Sequence, residues 1–145
     1  MTTHSPAKIM AEYLILISLG SRVPTAPDPL SAWPVYSCTF PETPNELISV
    51  YDTVGTIDGR IRGGETIEHP GIQIRVRSET EAAARAKMKA IAAALDDLYR
   101  LSVTLEGTNY RIQSATRTSI LPLGQDATKR RFGFTINALL TVKEI

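Results

Sequence analysis

Histidine, cysteine and tryptophan are nearly missing from this chain, with two His, one Cys and one Trp among 145 residues. A lone cysteine, Cys38, excludes an intramolecular disulfide framework and fits synthesis in a reducing cytoplasm. No His or basic residue adjoins it in sequence to activate it, so a buried or half-buried structural thiol is expected. His4 falls in a terminus expected to fray, and His69 is followed by Pro70, so neither offers a metal site or a catalytic triad. No catalytic, metal or cofactor residue is assigned, and an enzyme is not expected. An excess of one charge is also lacking: 16 Lys and Arg stand against 15 Asp and Glu, a formal +1. That balance argues against charge-driven binding to nucleic acid or an acidic membrane. The longest apolar run, around Tyr13–Leu19, falls far short of the roughly 20 residues of a membrane span. Met1–Ser5 has no basic n-region of a signal peptide. The length suits one soluble domain, residues 1–145, large enough to bury a core without metal or disulfides.

What is present is unevenly distributed. Six of the nine prolines fall between Arg22 and Asn45. Proline fixes φ and removes a donor, so residues 22–45 read as an extended arm, with a short edge strand at Val35–Phe40. Residues 1–52 hold two basic and five acidic side chains, a net −3, and the remainder 14 basic and 10 acidic, a net +4. Such a chain could assemble with itself through surfaces of opposite sign.

Ser5 and Pro6 signal a first helix as N-cap and first helical residue, with Gly20 as its stop. The apolar arc of that helix is wide enough to want contacts on more than one side. Alternation predicts strands at Glu46–Asp52 and Ile72–Arg77, joined by a long loop over 53–70. A second helix, capped by Ser78 or Thr80, carries the stripe Ala84, Met88, Ile91, Leu95 and Leu98. Asp96 and Asp97 at its end oppose the helix dipole, and the sequence offers no account of them. Strands follow on both sides of a turn at Glu106-Gly107. Ile120–Gln125 breaks the pattern, and Phe132–Val142 forms a long last strand. The expected fold is α+β: a mainly antiparallel sheet with two helices packed on one face.

Few residues suggest contact with partners. Gly59-Arg60-Ile61-Arg62-Gly63-Gly64 lacks the Lys-Ser/Thr of a phosphate loop and precedes a strand. It reads as a surface loop with Arg60 and Arg62 as candidate contacts. Lys129 and Arg130, beside Arg131, mark a solvated strand start or a contact with an acidic partner or passing DNA. Trp33 is either a plug pinning the arm to the domain or an interface anchor.

The order of these features resembles a known family. Ser49-Val50-Tyr51-Asp52-Thr53 with Gly55 follows the helix and proline stretch. His69-Pro70-Gly71-Ile72-Gln73-Ile74-Arg75-Val76-Arg77 then precedes the Ala-rich helix, and Arg130-Arg131-Phe132-Gly133-Phe134-Thr135-Ile136-Asn137 comes near the end. Together they resemble the tail terminator (minor capsid, tail completion) proteins of long-tailed bacteriophages, over roughly Ile9 to Val142. The resemblance implies a structural virion protein of the phage neck and no cofactor. It implies a homo-hexameric ring on the tail tube that ends tube polymerisation and offers a surface for head-tail joining. Its implied partners are the tail tube protein, a connector or stopper, and genomic DNA passing through the lumen without sequence recognition. Another phage ring subunit, or a small nucleic-acid-binding α+β module, is the alternative.

Overall fold

A computed structural model describes residues 3–22, 33–42, 45–60, 66–126 and 129–144. They form α1 (Pro6–Leu16), β1 (Ser21–Arg22), β2 (Pro34–Ser37), β3 (Leu47–Arg60), β4 (Thr66–Ser78), α2 (Glu81–Asp96), β5 (Leu101–Leu105), β6 (Thr108–Arg117), β7 (Leu121–Gln125) and β8 (Phe132–Glu144). Local chemistry explains the helix starts. Ser5 Oγ accepts the Lys8 N–H at 3.2 Å ahead of Pro6, and Thr80 Oγ1 accepts that of Ala83 at 3.3 Å. The end of α1 differs from expectation: Ser18, with φ 64°, takes the left-handed position instead of Gly20. The N–H groups of Ser18 and Leu19 return to the carbonyls of Ile15 and Leu14, each at 3.0 Å, which satisfies the carbonyls a helix end leaves open. Gly20 is needed for space, because a Cβ there would run into the Val35 side chain.

The strands form one sheet in the order β1-β2-β3-β4-β8-β6-β5, with β7 also paired to β8. The expected mainly antiparallel sheet with two helices on one face is not what forms. The sheet is mixed: β1 pairs β2, and β2 pairs β3, in parallel. A parallel pair needs a crossover connection in place of a tight turn, and the residues between β2 and β3 supply one. The sheet also curls. Strands near both ends of the order, β1 and β2 at one and β5 at the other, touch α1. The helix is thus wrapped by the sheet, and Ala7, Ile9, Met10, Ala11, Tyr13 and Leu14 are all buried. This is how its wide apolar arc is satisfied. The second helix packs on β4, β6 and β8 through its predicted stripe, every member of which is buried.

Other expectations change locally. The predicted loop over 53–70 is largely strand, since β3 runs to Arg60 and β4 starts at Thr66. Ile120–Gln125 contains β7, paired antiparallel to β8. Val35–Phe40 is not an edge strand, because β2 lies between β1 and β3; residues 23–32 and 43–44 of the predicted arm lie outside the described residues. Cys38 is exposed, with φ 60° and its Sγ 3.8 Å from Asp52 Oδ2. His4 is anchored: its Nδ1 lies 2.6 Å from Tyr110 Oη and its Nε2 3.0 Å from Glu106 Oε2. The turn at Glu106-Gly107 forms where predicted, with φ 50° and 82°, the positive pair a two-residue hairpin favours.

Candidate functional site

Two features stand out from the body of the fold. The first is a strap, residues 38–42 with Asn45 and Glu46, that carries the crossover from β2 to β3. Arginine side chains clasp it. Arg77, from β4, is buried and donates to the carbonyls of Pro41 (2.7 Å), Glu42 (3.1 Å) and Asn45 (3.3 Å). Arg131, just before β8, is 3% exposed and donates to the Glu42 carbonyl at 2.6 Å. Its Nη2 also reaches Glu42 Oε2 at 3.2 Å and Asp126 Oδ2 at 3.0 Å. Phe40 lies under two guanidiniums, with Arg75 Cζ 4.6 Å and Arg77 Cζ 4.7 Å from its ring centre. The charge pattern shifts protonation: Lys129 and Arg131 hold the Glu42 carboxyl below its ordinary range. Burial, and secondly the Arg131 charge, lower the Arg77 guanidinium.

Between strap and β7 lies a cleft of about 230 Å³, lined by Phe40, Glu42, Arg75, Arg77, Leu123, Gly124, Gln125, Asp126, Arg131 and Gly133.

The second feature is a two-stranded ribbon. Pairing between β4 and β8 ends at Gly71 and Leu139, whereas β3 and β4 pair onward to Arg60 and Thr66. A bulge between Thr53 and Thr56 marks its root. There the backbones approach so closely that a Cβ on Gly55 would lie 2.8 Å from Pro70 Cα, and one on Gly71 2.5 Å from the Val54 carbonyl oxygen. Glycine is what such an approach demands. Val54 at the bulge is 93% exposed.

The candidate residues do not converge. Arg60 ends β3, opposite Thr66; Arg62 lies outside the described residues. Lys129 sits at the other end of β4, its Nζ 3.3 Å from Glu42 Oε2. The 13 residues of β4 separate these ends, on the order of 40 Å at about 3.3 Å per residue. Arg130 takes φ 55° and donates its N–H to the Asp126 carbonyl at 2.8 Å. Trp33 is half-buried against the core, with Lys87 Nζ 5.2 Å from its ring centre. Sequence reasoning missed Phe40, Glu42, Arg75, Arg77, Arg131 and Gly133 as a group. The alternation placed Arg75 and Arg77 on one strand face, but nothing in it shows that the strap folds over them. Among the described residues no group of three or more His, Cys, Asp or Glu could hold a metal, and no helix is long and apolar enough to cross a membrane.

Comparison with known proteins adds the following. The sequence model of a family described as bacteriophage tail terminator protein matches residues 16–141. Twelve solved chains are also similar. One, which carries no functional description, is 19% identical over 94% of this chain and 89% of that one, with a TM-score of 0.50. Another, from the virion of a native gene transfer agent particle, is 14% identical over 77% of this chain and 78% of that one, with a TM-score of 0.49. At 19% identity the likeness is one of fold. No curated protein matches.

Proposed function

From a chain that belongs to the bacteriophage tail terminator family, a structural component of the phage tail, we propose a ring-forming protein that caps the tail tube. Six copies close a ring on the head-proximal end of the tube, stop its growth and present the surface to which a connector or stopper joins. Genomic DNA passes through the lumen without being read, and the protein performs no catalysis. The observation that carries this reading is the family match, which spans every strand from β1 to β7 and most of β8. The architecture suits it. A closed ring needs two different surfaces on each subunit, and the strap cleft and the ribbon lie at opposite ends of β4. A two-stranded ribbon is marginal in water on its own, so a neighbour or the tube would stabilise it.

Replacing both Arg60 and Arg62 with Glu tests the ribbon's part. The double variant is expected to keep the circular dichroism of the parent but to give weak rings, over-long tails or poor head joining in electron micrographs. Normal tail length and normal head joining would refute the role of the two arginines. Open-ended polymerisation of the purified chain would refute a terminator and indicate a tube protein.

A further inference from the structure

The cleft beside the strap holds a cation with no counter-charge. Glu42 is engaged by Lys129 and Arg131, and Asp126 by Arg131. Half-buried Arg75 rests on the Phe40 ring, and among the described residues no carboxylate or hydrogen-bond acceptor engages it. Arg131 Nε, also on this wall, is buried without an acceptor. A buried guanidinium N–H without an acceptor, as at Arg131 Nε, is costly, and native structures rarely keep one.

Gly133 lines the cleft, with the Leu123 side chain packed beside it. A Cβ on Gly133 would meet Leu123 Cβ, Leu123 Cδ1 and the Val76 carbonyl oxygen no closer than 3.5 Å, which is ordinary contact. Gly133 is not among the positive-φ glycines either. Neither conformation nor backbone crowding therefore requires glycine in the interior of β8. The β7–β8 register shifts opposite it, between Pro122 and Gly124, and a strand-interior glycine marks such a bulge or a place where another group approaches closely. Beside it, β7 pairs among the described residues only with β8, and its Leu121 and Leu123 are 57% and 44% exposed.

We propose that this cleft receives a carboxylate side chain from the β3–β4 ribbon of a second copy of the chain, with Arg75 as the group that meets it. The sequence of residues 53–70 carries Asp58, Glu65 and Glu68 against Arg60 and Arg62, an acidic excess for a cleft whose walls hold three guanidiniums and two carboxylates, both already paired. Cleft and ribbon at opposite ends of β4 give the head-to-tail contact that a ring repeats. The inference rests on the ring reading and names the two surfaces that meet.

A photo-reactive benzoylphenylalanine in place of Leu121, which neighbours the cleft without lining it, is to be introduced into the full chain on assembled tails. After irradiation, mass spectrometry is expected to find it joined to residues 53–70 of another copy. Two variants complement this. Arg75→Glu reverses the charge, and Gly133→Val fills the space with a residue that strands accept. Each is expected to leave the thermal midpoint near that of the parent and to lower ring yield about tenfold or more, the scale of a like-charge or steric conflict at an interface. Cross-links to another part of the chain or to another protein, or none at all on capped tails, would overturn the proposal. So would normal ring yield from both variants. If the parent chain does not occupy tail ends, the ring reading itself fails and takes the cleft's role with it; capped tails with the wrong cross-link remove only the latter.

Discussion

Ser18 holds a backbone conformation that side chains disfavour, with φ 64° at an exposed position. The left-handed region costs an L-residue about 1–2 kcal/mol, and glycine escapes most of that at the cost of greater freedom when unfolded. Ser18→Gly is therefore expected to stabilise the protein by about 0.5–1 kcal/mol, read as a higher urea midpoint at unchanged slope. Asp52 shows the opposite kind of residue. Its Oδ1 accepts the Ala7 N–H at 2.9 Å, which places a negative charge at the start of a helix whose own first turn has none. Asp96, unexplained by sequence, meets Arg117 through two bonds of 2.8 and 2.9 Å. In each case the partner lies more than 20 positions away, which no local pattern reveals.

At the scale of elements, the strap is the part whose stability depends on few side chains. Arg131→Ala removes its bonds to the Glu42 carbonyl, Glu42 and Asp126. The expected cost is about 2 kcal/mol, as for hydrogen bonds to a charged group, measured by urea unfolding. Arg131→Lys is expected to recover little, because one ammonium cannot reproduce a planar fork whose Nη1 meets the Glu42 carbonyl while Nη2 meets both carboxylates. The helices were the elements most legible in sequence, since caps and stripes are local signals. The 53–70 stretch was misjudged because its glycines and charges look like a loop. Gly55 serves instead a bulge at the root of a ribbon whose pairing is set by registers across β3 and β4. The parallel pairing of β2 was hidden for a related reason: strand direction depends on how the strap crosses, and proline content does not encode that.

At the scale of the whole molecule, the charge division along the sequence, −3 then +4, is partly consumed within one subunit. Glu42 from the acidic third meets Lys129 and Arg131 from the basic remainder. Acid should therefore loosen the fold. Glu42, Asp96 and Glu106 all have carboxyls lowered from ordinary values of 4.5, 3.8 and 4.5 by basic partners. Depressed carboxyls contribute stability that is complete above the unfolded values and lost as pH falls through the folded ones. The thermal midpoint is expected to be level between about pH 5.5 and 7, and to drop below about pH 4.5. Glu42→Gln should make that drop shallower, and an acid limb identical to the parent's would remove Glu42 from the account.

The sequence by itself determined the helices, their N-caps and buried stripes, the Glu106-Gly107 turn and the resemblance to tail terminators. These rest on periodicity, local chemistry and the order of motifs, all of which are written within short stretches of chain. Tertiary structure alone decided that the sheet is mixed and curls around α1. It also decided that Cys38 is exposed, that His4 is anchored, and that Arg75, Arg77 and Arg131 gather under a strap that carries Phe40. Those outcomes depend on which distant segments meet. Pairing and burial between residues tens of positions apart are set by the packing of the whole core, and the residues involved carry no local mark of it.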